Sequence, residues 1–237
     1  MSITRHHNGR SAQCRTWPIM WLAAAALLVA GSARADEDAE PGLVRSANLI
    51  YGQSKSSVCF SDEFLAQVQK ETHIRTHHRF FPVKLSETEE LFEHPFAVMT
   101  GEGGFELTDL QRQNMVDYLH AGGFVIASAG CSSQPWNRSF KREIERMFPD
   151  RALETLGADH PIFHTVYDIR ESKYKSSAPQ LPELRGLSID GRTVLVWSPD
   201  GLNDTANAGS GCCCCGGNEI KQARALNVNI LVYALTH

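Results

Sequence analysis

The sequence has no apolar run long enough to cross a bilayer with ease. Its most apolar stretch, Ile19–Ala30, is about twelve residues, where a spanning helix needs roughly twenty. There is no basic surplus either: 23 Lys and Arg face 27 Asp and Glu, a formal net charge of −4. Without a basic stripe, nucleic acid is not an expected partner. No internal repeat is visible, which excludes a solenoid. The glycine-rich stretch Gly101-Glu102-Gly103-Gly104 lacks the Gly-Lys-Ser/Thr ending of a phosphate-binding P-loop, and it misses the dinucleotide-fingerprint spacing. No Cys directly follows Ile19–Ala30, so lipoprotein processing is not indicated, and no twin Arg pair precedes it.

What stands at the N-terminus is an export pattern. Arg5, Arg10 and Arg15 come without an acid, then the apolar run, then Gly31-Ser32-Ala33-Arg34-Ala35. Basic region, apolar region and a small-x-small site in that order read as a secretory signal, residues 1–35, removed after Ala35. Retention as an anchor is the alternative. Asp36–Gly42 is charged and opens a flexible tether, residues 36–46. Residues 47–237 then form one domain, expected in the periplasm or cell envelope. That length suffices for one proper core.

Strand and helix signals alternate along the domain. Ala47–Tyr51, His78–Leu85, Pro95–Thr100 and Phe124–Ala129 are short apolar runs of strand length. Pro82 pushes the second toward a sheet edge. Ser61 can cap a helix with Phe64, Leu65 and Val68 on one face. Thr108 and Gln111 make a capping box for a helix that stops at Gly122-Gly123. Asn137–Phe148 is a helix ended by Pro149. Asp190-Gly191 marks a hairpin before the strand Val194–Trp197. Asn218 can cap a last helix running to about Leu235. The order predicts an α/β fold, a mainly parallel sheet with helices on both faces and a late β-hairpin. Ligands in such sheets sit beyond the carboxyl ends of the strands. The expected pocket is therefore lined by Gly101–Phe105 and Cys131–Trp136.

Four segments carry a resemblance: PFAVMTGEGGF (Pro95–Phe105), YLHAGGFVIASAGC (Tyr118–Cys131), Arg138–Ile169 and NVNILVYALTH (Asn227–His237). On these the chain resembles the bacterial domain of unknown function 4159 family, placed near the class I glutamine amidotransferase-like fold. The resemblance implies a flavodoxin-like sandwich and no particular activity.

Cys131 follows a buried strand at Gly130 and precedes a helix. Amidotransferase-like enzymes hold a Cys nucleophile at such a corner, where the following helix favours a thiolate. His160 or His164 would be the base and Glu102 the orienting acid. Against this, Ser132-Ser133-Gln134-Pro135 follows, with no Gly two residues after the Cys, so the usual elbow is absent. The second constellation is Cys212-Cys213-Cys214-Cys215, flanked by Gly211 and Gly216-Gly217. With Cys59 and Cys131 it supplies six thiols. They read either as disulfides, in an oxidising compartment, or as a thiolate site for zinc, copper or an iron–sulfur centre. Residues at i and i+2 of an extended run share a side; two of the four, closed by Cys59 or Cys131, could hold such a metal. The Gly101–Gly104 loop reads first as a tight turn. His73, His77 and His78 read as a solvated face.

Three functions follow, in order of preference. The first is a non-catalytic binding or accessory domain of the envelope, taking a small ligand or an envelope protein. The second is a thiol-based metal or redox protein centred on the cysteine cluster. The third is a Cys-dependent hydrolase or amidotransferase using Cys131.

Overall fold

The computed structural model describes residues 41–52, 60–174, 177–204 and 220–237. All belong to one compact unit, Asp36–His237. Seven strands form one sheet: β1 (Val44–Ile50), β2 (Thr76–Lys84), β3 (Phe96–Gly101), β4 (Phe124–Ala129), β5 (Glu154–Thr155), β6 (Arg185–Ile189) and β7 (Arg192–Ser198). Their order is β2-β1-β3-β4-β7-β6-β5. The first five in that order are parallel, and β6 and β5 are added antiparallel. The sheet is thus mostly parallel with a late hairpin, as the alternation of signals predicts.

Local chemistry accounts for the elements. The central strands β3 and β4 are buried along their whole length, which is why they read as unbroken apolar runs. Pro82 has no N–H to give a second neighbour, and β2 is the outermost strand. The hairpin turns through Asp190 and Gly191, both with positive φ (52° and 81°), the conformation a two-residue loop of this hand requires.

Helices cover both faces. On one side lie α2 (Thr88–Phe92), α3 (Asp109–His120) and α4 (Gln134–Met147), burying Leu91, Met115, Leu119, Trp136, Phe140 and Ile144 against the sheet. On the other lie α1 (Glu63–Glu71) and α5 (Ala223–Thr236), contributing Phe64, Leu65, Val68 and most of α5. The Thr108/Gln111 capping box is formed in both directions.

The elements differ from the sequence reading in several places; β2 runs Thr76–Lys84 and β7 Arg192–Ser198, each starting two residues early. β1 begins at Val44, so the last residues assigned to the tether are already strand. The short helix α2 and the two-residue β5 have too few residues to show a period. Asp62, not Ser61, occupies the cap position of α1; Ser61 still accepts the Glu63 N–H at 3.2 Å. Finally, α4 starts at Gln134 rather than Asn137. Ser133 Oγ accepts the Trp136 N–H, and Pro135 lies in the first turn, where its missing N–H costs nothing. Asn218 lies outside the described residues.

Candidate functional site

The strand order fixes where a ligand can sit. From β1 the chain crosses over α1 to β2 on one side. From β3 it crosses over α3 to β4 on the other side. The two helices lie on opposite faces, as crossovers of one hand require. The chain therefore splits between β1 and β3, and a crevice opens beyond their carboxyl ends. A groove of about 900 Å³ lies there, lined by Gly52 after β1, the Gly104–Thr108 loop after β3, and Ser139 and Arg142 of α4. Its volume is that of a small-molecule site.

Below the groove the structure is tightly bonded. Tyr51, at the end of β1, is buried; its hydroxyl donates to Thr100 O at 3.0 Å and accepts from Trp136 Nε1 at 2.6 Å. Burial pushes the Tyr51 pKa well up, against a smaller opposing effect of the Trp136 bond, so the hydroxyl remains a neutral donor. Phe105 packs edge-on to Tyr51 (ring centroids 4.9 Å) and beside Trp136 (5.7 Å), which stacks on Phe140 (5.1 Å). Gly101 has no room for a side chain: a Cβ would lie 2.6 Å from the Tyr51 hydroxyl. Gly103 has φ +83°, so the loop is a glycine turn.

α4 holds the groove's other wall. Ser139 Oγ accepts the Phe105 N–H at 3.0 Å. Arg142 Nη2 donates to Phe105 O at 2.8 Å and reaches Ser139 Oγ at 3.4 Å. Beneath them Glu143, with a side chain only 1% exposed, meets Arg112 Nη1 at 2.8 Å, Arg146 Nη1 at 3.1 Å and Arg142 Nε at 3.6 Å. Glu106 pairs with Arg146 at 2.8 Å, which draws the Glu106 carboxyl below its usual range.

Cys131 sits beside this groove and does not line it. It and Ser132 form a short 3₁₀ turn with Gly130, and both have left-handed backbones (φ 53° and 55°), a conformation that costs non-glycine residues energy. Bonds on all sides hold the turn. Ser132 Oγ donates to Asp200 O at 2.8 Å, Ser133 Oγ accepts the Gly103 N–H at 3.1 Å, and Asn137 Nδ2 donates to Pro199 O at 2.8 Å. Gly201, with φ +90°, comes so close to the Ala129 carbonyl that only glycine fits. Glu102 Oε1 lies 3.5 Å from the Cys131 sulfur. That sulfur is disulfide-bonded. A disulfide sulfur is neither a nucleophilic thiolate nor an S–H donor, so the Glu102 approach is a contact and not a proton relay.

The structure brings Glu102 and Cys131 together but places His160 elsewhere. His160 Nε2 is 3.3 Å from Thr193 Oγ1, at the entrance of β7, and its ring packs on Tyr233. β4 and β7 run parallel with Ser128 opposite Ser198, so Thr193 and Cys131 lie at opposite ends of these neighbouring strands, roughly 15–20 Å apart at about 3.3 Å per residue. His160 Nδ1 accepts the Ile162 N–H and caps the turn Pro161–Phe163. In the neutral ring, which burial favours by lowering the pKa, the proton then sits on Nε2 and points at a threonine. His164 is exposed, between Asp168 Oδ1 and Ala158 O, each at 2.6 Å. Cys59 and Cys212–Cys215 lie outside the described residues. Among the described residues no cluster of three His, Cys, Asp or Glu is arranged to hold a metal ion, and no helix is long and apolar enough to cross a membrane.

The sequence reading missed Arg142, Ser139 and Gly52. The signal was there in part: Ser139 and Arg142 stand three apart on one helix, so they share a face.

A family comparison matches residues 47–235 to the model of DUF4159, a domain of unknown function. The chain belongs to this family. The match takes in the whole sheet except the first residues of β1, so the groove and the Cys131 turn both fall inside the DUF4159 domain. A search of the curated proteins returns no match.

Proposed function

We propose that this DUF4159 protein is an exported, non-catalytic binding domain of the cell envelope that holds a small ligand in the groove between β1 and β3. The observation that carries the reading is the position of that groove. It lies at the point where the strand order reverses, it has the volume of a ligand site, and among the described residues Cys131 does not line it. The β2-β1-β3-β4 order supports the flavodoxin-like, amidotransferase-like architecture that the resemblance implies. Export is supported by the basic-then-apolar leader ending at Ala35 and by the disulfide at Cys131, since such bonds persist in oxidising compartments.

A thiol-based redox role is the second reading, and the same disulfide favours it: the sulfur sits on a left-handed turn beside a carboxylate. Substituting Cys131 separates the two. With Cys131→Ser, a ligand found by thermal-shift screening of small metabolites should bind the purified protein with its affinity kept within about threefold, while the ligand-free melting temperature falls. A Cys131→Ser protein that folds and has lost all ligand response would overturn the binding reading. Mass analysis of the protein from the cell envelope should show a chain starting at Asp36; a chain retaining residues 1–35 in the cytoplasm would overturn export.

A further inference from the structure

We propose that the groove binds an oxyanion, the carboxylate or phosphate group of a small molecule, on Arg142 and the unpaired backbone N–H groups of the Gly104–Leu107 loop. The inference rests on the reading of the groove as the ligand site and names the chemistry it selects.

Charge bookkeeping around α4 singles out Arg142. Three guanidinium groups converge on the one buried carboxylate of Glu143. Two of them have a second, exposed acid: Arg146 has Glu106, and Arg112 has Asp109. Arg142 makes no second ion pair among the described residues, although its charge helps to lower the Glu106 carboxyl, and its contact with Glu143 is the longest of the three, at 3.6 Å. Its side chain is 46% exposed and lines the groove. One edge of the guanidinium is spent on Phe105 O and Ser139 Oγ, which fixes its plane against the loop. Five N–H donors in a rigid fork leave capacity for an anion.

The loop supplies a second, independent set of donors. The Phe105 N–H is taken by Ser139, and the Thr108 N–H by Gln111 Oε1. Those of Gly104, Glu106 and Leu107, which also line the groove, bond to nothing among the described residues. Leu107 is buried, where a backbone donor is nearly always paired; Gly104 and Glu106 are exposed, so their donors are open to a ligand from solvent, and successive free N–H groups in a loop are the usual make-up of an anion site. Gly104 leaves the approach open, with only Ser139 Oγ near its missing side chain. Glu106 also lines the groove, but its charge is answered by Arg146. A neutral ligand would leave both the Arg142 charge and these donors to water.

The test is an amide NMR titration of the purified protein at constant ionic strength, with inorganic phosphate, succinate and glycerol as separate probes. Saturable shifts at Gly104, Glu106 and Leu107 are expected with phosphate or succinate, and the stronger of the two identifies the preferred oxyanion. Arg142→Gln should weaken that binding at least tenfold, and Arg142→Lys should restore part of it. A urea melt of each variant shows that it is folded. Equal binding by wild type and Arg142→Gln, or shifts with glycerol alone, would overturn the oxyanion inference and leave the groove reading standing. No response at any groove amide to any probe would overturn both.

Discussion

Replacing Tyr51 by Phe removes one oxygen atom and should cost the fold about 2–3 kcal/mol. The hydroxyl makes two bonds at once, to Thr100 O at 3.0 Å and from Trp136 Nε1 at 2.6 Å, inside a region where Trp136 is fully buried. Phe keeps the ring and its packing on Phe105, so the transfer term barely changes. What remains is a buried indole N–H with no acceptor, about 1–3 kcal/mol, plus a lost bond to a carbonyl, about 1 kcal/mol. With a urea m-value of roughly 2–3 kcal/mol/M, the midpoint should fall by about 1 M with m unchanged. Tyr118→Phe is the control. The Tyr118 hydroxyl donates to His94 O at 2.7 Å but, among the described residues, accepts from no buried donor, so its loss should cost only about 1 kcal/mol. Gly101→Ala extends the argument, because its Cβ would press on this same hydroxyl and, at 3.0 Å, on Trp136 Nε1. Added to Tyr51→Phe, it should cost about 1 kcal/mol less than it does alone, since the nearest obstacle has gone. A Tyr51→Phe protein within 0.5 kcal/mol of wild type, or no costlier than Tyr118→Phe, would refute the reasoning.

Other perturbations should act with stated sign. Gly201→Ala forces a side chain onto a φ of +90° and into the Ala129 carbonyl; a loss of about 3 kcal/mol or more in urea unfolding is expected. Glu143→Gln leaves three guanidinium groups without their shared carboxylate. A buried pair so broken costs about 3–5 kcal/mol, and since Arg142 and Arg146 are 46% and 44% exposed the expected loss is nearer 2 kcal/mol. Fully buried His94 has its pKa lowered, first by desolvation and then by the Arg45 charge, and desolvation lowers that of His160. The unfolded chain therefore binds more protons than the folded one below the ordinary histidine pKa of about 6.5. Stability from these two groups is present above that pH and lost as pH falls toward 5, while His164, raised by its Ala158 and Asp168 bonds, acts in the opposite direction on an exposed site. Unfolding curves from pH 5 to 8 should show a net acid loss that His94→Gln reduces; an unchanged slope would refute the assignment.

How much of this was legible before the fold was known depends on the kind of signal. Buried strands announce themselves by composition, and the Asp190-Gly191 turn and the Thr108/Gln111 box by residue identity at fixed spacing. Each is local, and each is present. The start of α4 was read three residues late because Gln134-Pro135 looks like a turn, although proline suits a first helical turn equally well. The left-handed pair Cys131-Ser132 has no signature at all. Neither residue is of a type that favours φ > 0, and bonds to Asp200, Gly103 and Pro199 help hold the turn in place.

The candidate site divides along the same line. The glycine loop at the end of β3 was expected at the rim because strand ends are readable. Of Arg142, helix periodicity tells only that it faces away from the core. Whether such a residue meets water or a neighbouring loop depends on how α4 crosses the end of β3, and Phe105 O and Ser139 decide that in three dimensions. The same reasoning explains why His160 looked like a partner for Cys131. A histidine beside an acid and a proline has the composition of a catalytic loop, but the parallel pairing of β4 and β7 leaves it at the opposite strand end. Composition nominates groups; the direction in which strands run decides which of them meet. In this chain that direction separates the base from the sulfur, and it gathers a guanidinium, a glycine loop and an open groove where the strand order reverses.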